Sequence, residues 1–396
     1  MRPLVVSLLP RPPHPARDGA AIRNFHLLQA LASEFHVRAF ALVPPDARDL
    51  PWGFPSDVDG DLIDVPLGLP RAIGSIARTA AGIPYTVARY RSDELEAAVA
   101  QAANRDRPAW VIAHGFHLAR TALASTRPAW LDLHNVESLI WRRQGGSARS
   151  VTFRAALAWQ ARLVRRMEAD VVRSVEGLSV VSELDARLVE DLGPRRPPLR
   201  VPNGVDLERY IARALEPTGF TLLFVGDLRW APNADGVAWF RRTVWPQLRA
   251  LVPDVRVEIL GRGAGPELTA MADERFVFLG DEADTRPAWS RATVAIVPLL
   301  SGGGTRLKIL EAAAMGVPVI STSIGAEGLE LEGDAAIIVR DEPRQWVESI
   351  VRLKDQPAVR LAMARRARAK MEADYDWRRI GEAFAQQLSA RAAVRS

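Results

Sequence analysis

The stretch Val294-Ala295-Ile296-Val297-Pro298-Leu299-Leu300-Ser301-Gly302-Gly303-Gly304-Thr305-Arg306-Leu307-Lys308-Ile309-Leu310-Glu311 decides how the chain reads. Val294–Pro298 is a short apolar run without charge, as expected of a strand covered on both faces. The loop Leu299–Gly304 follows, then a helix over about Thr305 to Ala314, then a strand at Pro318–Ser321. Strand, glycine turn, helix and strand form the repeating unit of a parallel sheet with right-handed crossovers. Glycines let a backbone approach a ligand closely, and a helix start presents free N–H groups and the positive end of the dipole. Arg306 and Lys308 fall in that first turn, where cations oppose the dipole. A bound anion makes the arrangement favourable, so the ligand inferred is a phosphate or diphosphate. A flexible loop with solvated cations is the plainer alternative. Glu311 lies one to two turns on, among Ala312, Ala313 and Ala314. Its carboxylate could accept hydrogen bonds from sugar hydroxyls, although glutamate is also simply a good helix former.

The same alternation extends outward. Thr221–Val225 reads as a strand ending at Gly226, Asn233 as the cap of a helix through Arg249, and Val255–Leu260 as a strand ending at Gly261. Earlier strands are read at Pro3–Leu9, His36–Val43, Trp110–Ala113, Ala129–Leu133 and Leu178–Val181. The first leads through Asp18-Gly19 into a helix from Ala20 to Ser33, whose Ile22, Phe25, Leu28 and Leu31 form one apolar face. Ser182-Glu183-Leu184-Asp185 reads as a capping box. The proline-rich Gly193–Pro198 breaks the chain, and the domain boundary is placed within Gly193–Asn203.

Composition narrows the classes. The chain has 396 residues, 48% hydrophobic and 25% charged, with a net charge of +5. That length suits two domains of roughly 150–200 residues, and the composition excludes disordered, collagenous and coiled-coil classes. Cys is 0, which excludes disulfides, a thiolate zinc site and a cysteine nucleophile. The longest charge-free apolar stretch of interest, Ala312 to Ala326, falls short of the ~20 residues a membrane span needs. Only Arg2 precedes the short apolar Leu4–Leu9, so no secretory leader is read there. A cytoplasmic protein is expected, with peripheral contact at the inner membrane face as the alternative. Between Ser138 and Met167 lie seven arginines (Arg142, Arg143, Arg149, Arg154, Arg162, Arg165 and Arg166) and no acidic residue. The stretch reads either as a solvated helix face or as a contact for anionic lipid or substrate. No nucleic-acid recognition module is readable.

Other motifs carry less. Gly261-Arg262-Gly263-Ala264-Gly265 departs from G-x-G-x-x-G and lies deep in the second half, so no nicotinamide site is expected. His114 and His117 are three apart without further clustered ligands, so no metal is expected. His134 follows the apolar run Trp130–Leu133 at a strand's carboxyl end, the side where such sheets bind ligands. A histidine bonded within its own loop is the alternative. Neither a serine-hydrolase nor a P-loop motif occurs as a coherent site.

These pieces together resemble the family-four GT-B retaining glycosyltransferases, the glycosyl transferases group 1. The resemblance rests on Asp18-Gly19, Leu133-His134-Asn135-Val136-Glu137, Val201-Pro202-Asn203-Gly204-Val205-Asp206, Val225-Gly226-Asp227-Leu228, Leu260-Gly261-Arg262-Gly263 and the run Gly302 to Ile320. It implies an α/β protein with two Rossmann-like domains facing a central cleft. An acceptor-binding domain would span 1–198 and a nucleotide-sugar-binding domain 199–375, with 376–396 a helix returning to the first. It implies transfer of a sugar, with retention and without a metal or other cofactor, from a nucleotide diphosphate sugar to a saccharide or lipid-linked hydroxyl acceptor. Gly19, Arg229, Gly303, Gly304, Thr305, Arg306, Leu307, Lys308 and Glu311 would bind the donor, with His134 and Glu311 at the reacting sugar. Two departures stand out. The family's Glu-x7-Glu has Gly303 at its first position, leaving Glu311. Its Gly-Arg-Leu and following lysine become Gly226-Asp227-Leu228, with no lysine as far as Gly236. Gly-Gly-Gly-Thr-Arg-Leu-Lys resembles a variant branch of the family. A sugar-nucleotide epimerase and a non-catalytic sugar-nucleotide binder remain as alternatives.

Overall fold

The computed structural model describes residues 2–16, 18–44, 52–65, 69–147, 150–213, 217, 219–331 and 336–395. The chain divides into two units, Met1–Pro202 with Arg378–Ser396, and Asn203–Trp377. Each is built on one parallel sheet.

The first sheet contains β1 (Leu4–Leu9), β2 (His36–Val43), β3 (Val58–Asp64), β4 (Trp110–His114), β5 (Ala129–Leu133), β6 (Gly177–Val180) and β7 (Leu199–Arg200). Its order is β3-β2-β1-β4-β5-β6-β7. The second contains β8 (Phe220–Val225), β9 (Val255–Leu260), β10 (Phe276–Gly280), β11 (Val294–Val297), β12 (Val319–Ser321) and β13 (Ile337–Val339). Its order, β10-β9-β8-β11-β12-β13, follows the same rule. In both, the chain starts mid-sheet, winds to one edge and returns to wind to the other. This doubly wound order opens a crevice beyond the carboxyl ends of the two central strands. Those strands are β1 and β4 in the first unit, β8 and β11 in the second.

The strands read from sequence form because helices cover both faces of each sheet, so every position tolerates an apolar side chain. β4, β5 and β11 are buried throughout. Each unit has its own apolar core. The helix Gly19–Glu34 starts where Asp18 accepts a hydrogen bond from the Ala21 N–H (2.9 Å). Ser182 likewise accepts from the Asp185 N–H (3.1 Å). The Asn233 expectation fails. The helix there begins at Ala231, with Pro232 in its first turn, and ends at Thr243 before a second helix, Trp245–Leu251. Proline fits the first helical turn, so Asn233 lies inside the helix and its side chain is free for another task.

The last helix, Trp377–Ala393, packs on the first unit over two tryptophans. Trp110 donates from Nε1 to the Leu388 carbonyl (3.2 Å), and Trp130 stacks edge-on against Phe384 with ring centroids 6.1 Å apart. The arginine-rich stretch falls on two helices, Glu137–Ser147 and Val151–Ser174, while Arg149 lies outside the described residues. Among the described residues no helix is long and apolar enough to cross a membrane.

Candidate functional site

In the second unit the glycine turn leaves β11, beside the loop that leaves β8, so both border the crevice. Gly302 has φ +120°, and a Cβ there would meet Trp230 and the Arg306 guanidinium. Glycine is therefore required for both conformation and space. The helix proper is Leu307–Ala314, with Arg306 as its N-cap residue. This corrects the placing of Arg306 in the first turn. Its buried guanidinium folds back to donate to the carbonyls of Gly303 and Gly304, 5.7 Å from the Trp230 ring centroid. Arg306 thus braces the turn. Gly303, Gly304 and Thr305 form the braced segment. Thr305 Oγ1 is buried with no hydrogen-bond partner. The Ile309 N–H already donates to the Arg306 carbonyl (2.9 Å), while a helix start leaves the N–H groups before it without an intrahelical i−4 acceptor.

Lys308 points the other way, under the β8 loop. Its ammonium donates to Asn233 Oδ1 (2.8 Å) and lies 4.1 Å from the Phe224 ring centroid. Asn233 in turn donates from Nδ2 to the Asp227 carbonyl (2.8 Å). Gly226 makes room: a Cβ there would fall 2.6 Å from Lys308 Nζ. Burial, then the charge of Arg306, lowers Lys308 to about 7, with Glu311 pulling the other way. Glu311, one turn along the same helix face, accepts from Trp289 Nε1 (3.3 Å). Burial raises Glu311, against hydrogen bonds from Trp289 and Tyr210.

Arg229 is a donor candidate already engaged. Asp227 takes its guanidinium at 3.0 Å from Nε and 2.6 Å from Nη2, and accepts from Arg262 Nε at 2.9 Å. Burial raises Asp227, but the two arginines outweigh it and hold the carboxyl at about 2. The acid that replaces a cation in the motif therefore fixes two others in place.

In the first unit, register assembles a polar row across β4, β5 and β6. His114 pairs with Asp132, and Asp132 with Ser179. Asp132 is wholly buried and accepts from Arg23 Nε (3.0 Å), Arg23 Nη2 (2.7 Å) and Ser179 Oγ (2.7 Å). His134 Nε2 lies 3.3 Å from Asp132 Oδ2, and His114 Nδ1 lies 3.4 Å from it. Burial would raise Asp132, but the Arg23 charge and the histidines hold it well below the usual carboxylate range. Burial lowers His134, with Asp132 opposing. His134 thus lies against the carboxylate of the strand that precedes it. His114, Asp132 and His134 present ligand-type atoms within 4.8 Å of one another. Arg23 already holds both Asp132 oxygens, so a cation sits where an ion would go. Three residues beyond His134, Glu137 opens its helix; burial and the charge of Glu168 push it up to about 7. Gly19 is the exposed first residue of the helix after β1.

Sequence reasoning missed Trp230, Asn233, Arg262, Tyr210 and Trp289 around the turn, and Arg23, Asp132 and Ser179 around His134. Pro232, in the first turn of a helix that starts at Ala231, was the one available signal for Asn233.

Two doubly wound units, each on its own parallel sheet, have the architecture of the GT-B fold. Residues 219–356 match the family Glycosyl transferases group 1. The chain is 28% identical over 295 residues to a glycogen synthase of Mycobacterium tuberculosis, covering 71% of this chain and 68% of that one. Its fold is similar to that of a sucrose-phosphate synthase from Thermosynechococcus elongatus (TM-score 0.74, 17% identity, 99% of this chain and 100% of that one). It is also similar to Anabaena Alr3699/HepE in complex with UDP-glucose (TM-score 0.66, 14% identity, 98% and 99% covered).

Proposed function

We propose that the protein moves a sugar from a nucleotide diphosphate sugar to a hydroxyl acceptor with retention, without a metal, in polysaccharide or glycolipid synthesis. The observation that carries this reading is the half-buried pair Lys308 and Glu311 next to the braced glycine turn that follows β11. The UDP-glucose bound to HepE and the glycogen synthase relative support the donor class and the reaction class. The glycine-turn sequence Gly-Gly-Gly-Thr-Arg-Leu-Lys supports reading the protein as a variant branch of the glycosyl transferases group 1.

In this reading the diphosphate lies on the turn's N–H groups, with Lys308 below it. Charge grows on the diphosphate as its bond to the anomeric carbon breaks, and a fixed cation and helix end stabilise it without reorganising. The acceptor oxygen bonds to the same face of the anomeric carbon. Its proton passes to the leaving diphosphate oxygen. Glu311 accepts from donor hydroxyls, most simply those of the nucleotide ribose. The first unit binds the acceptor, with His134 there acting on turnover more than on donor affinity. The arginine-rich helices give that unit salt-sensitive contact with anionic membrane.

The test is incubation with a panel of sugar nucleotides and saccharide acceptors in chelator. Transfer releases nucleoside diphosphate and yields an acceptor glycoside with the donor's anomeric configuration. An isomerised sugar would instead make the protein an epimerase, and binding without turnover a non-catalytic binder.

A further inference from the structure

Trp230, at the end of the loop that leaves β8, meets the glycine turn and is still 40% exposed. Its ring is nonetheless fixed. The Arg306 guanidinium lies 5.7 Å from the ring centroid. The far edge of the ring packs against Gly302, where a Cβ would fall 3.0 Å from Cη2 and 3.2 Å from Cζ2. The backbone is pinned as well: the Trp230 N–H donates to the Asp227 carbonyl (3.3 Å), and the Trp230 carbonyl accepts from the Asn233 N–H (2.9 Å). Support for Arg306 accounts for the covered part of the ring and leaves the exposed part without a purpose. Leu300, on the loop that leaves β11, is 42% exposed. Each of the loops that leave the two central strands thus carries an uncovered apolar side chain.

Groups that could bind hydroxyls are scarce beside them. From Gly226 to Trp230 and from Leu300 to Lys308 the only carboxylate is that of Asp227, and Arg229 and Arg262 already hold it. Gly303 adds no side chain, although its conformation does not demand glycine: φ is positive at Gly302 (+120°) and Gly304 (+73°) but not at Gly303.

In the transferase reading the diphosphate lies on the turn ahead of Leu307, and the nucleotide ribose lies beside Glu311, one turn along the helix. The transferred sugar, at the other end of the diphosphate, then falls toward Gly302 and Gly303, where the Trp230 ring packs. We propose that Trp230 is the platform for the donor's sugar, whose C–H face stacks on the exposed indole where no carboxylate is free to bind its hydroxyls. This deepens the transferase reading and rests on it. A sugar ring is polar around its rim and apolar on the faces where C–H bonds project, and an indole face is electron-rich, so the two attract. A ring already immobilised by Arg306 and Gly302 loses little freedom when the sugar arrives. Trp230 therefore selects for a sugar with an uninterrupted C–H face rather than for a pattern of hydroxyls.

UDP with UDP-glucose, and GDP with GDP-mannose, serve as probes in calorimetry with the full chain. The quantity read is the ratio of sugar-nucleotide affinity to nucleoside-diphosphate affinity for the pair that binds. In Trp230→Leu that ratio should fall about three- to tenfold relative to the parent, and Trp230→Phe, which keeps an aromatic face, should recover most of it. A ring that only braces Arg306 gives a different result: both ligands of the pair weaken together and the ratio is unchanged, which overturns the proposal.

Saturation-transfer NMR on the parent reads the contact without any substitution, so the test survives a variant that fails to fold. With the protein's aromatic protons irradiated, the ring protons of the donor's sugar should take up saturation; no transfer to them overturns the proposal. Failure of both nucleotide pairs to bind the parent removes the transferase reading and this proposal with it. Donor binding with an unchanged ratio in Trp230→Leu removes this proposal alone.

Discussion

Asp132, fully buried, and Lys308, half-buried, both lie near a strand's carboxyl end, yet their surroundings are opposite. Asp132 is answered by the Arg23 guanidinium, the Ser179 hydroxyl and two histidines, and stays ionised far below its usual range. Lys308 has a neutral amide as its hydrogen-bond partner, a second cation nearby and a raised carboxyl one turn away, and its pKa falls to about 7. Burying a charge is expensive unless it is paired. The first site is therefore complete as it stands and holds His134 in place. The second is electrostatically incomplete until an anion arrives, which is the condition expected of a binding site.

The largest effect should come from breaking the completed site. Arg23→Ala leaves Asp132 buried and unpaired, with an expected cost of about 3–5 kcal/mol in folding free energy. Urea denaturation measures it; a loss below ~1 kcal/mol would mean that Asp132 takes up a proton easily, and the contrast with Lys308 would collapse.

Lys308→Ala should act on binding instead. Removing a charge-assisted bond costs about 1.5–3 kcal/mol, roughly 10- to 150-fold in affinity for a nucleoside diphosphate. The nucleoside monophosphate should lose less. Arg306→Ala should weaken both ligands alike, because Arg306 braces the turn through the Gly303 and Gly304 carbonyls. Calorimetry on the two variants with both ligands distinguishes a direct cation from a brace.

pH sharpens the same point. Lys308 is about half protonated at pH 7 in the free protein, and a diphosphate raises its pKa, so binding takes up a proton. Affinity for a sugar nucleotide, whose diphosphate does not titrate there, should be flat below pH 7. Above it, affinity should fall by up to about tenfold per unit, ~1.4 kcal/mol, until the bound-state pKa is reached. The same dependence in Lys308→Ala would assign the proton to another group.

The smallest effect is expected at Glu311. Its truncation removes an acceptor for donor hydroxyls and costs about 1–2 kcal/mol in donor binding. Unchanged donor affinity in Glu311→Ala would leave the carboxyl with a packing role beside Trp289 and Tyr210.

The two sites also differ in how far they could be read from the chain. The glycine turn is local: strand, three glycines and helix lie within about twenty consecutive residues, and their order alone places them at a strand's carboxyl end. Even there, the direction of the Arg306 side chain was invisible, because it depends on Trp230 across the crevice-side loops. Asn233 was misread as a cap because the nearby Pro232, which marks the helix as already begun, was outweighed by the preference of asparagine for helix starts. The Asp132 row was out of reach. It joins residues from three strands and a helix through register and packing, and nothing in sequence spacing records that His114 faces Asp132 or that Arg23 returns from more than a hundred residues away. The doubly wound order was legible as a class, since apolar runs alternate with helices; short strands such as β7 and β13 were not.

The final helix has a consequence in time. Trp110 and Trp130 are covered by residues made after the second unit, around Phe384 and Leu388. At the ribosome's roughly 5–20 residues per second, the nascent first unit carries two bare indoles for some tens of seconds while the second unit is being synthesised. During that interval the protein depends on whatever shields it, and loss of the closing helix would make the interval permanent.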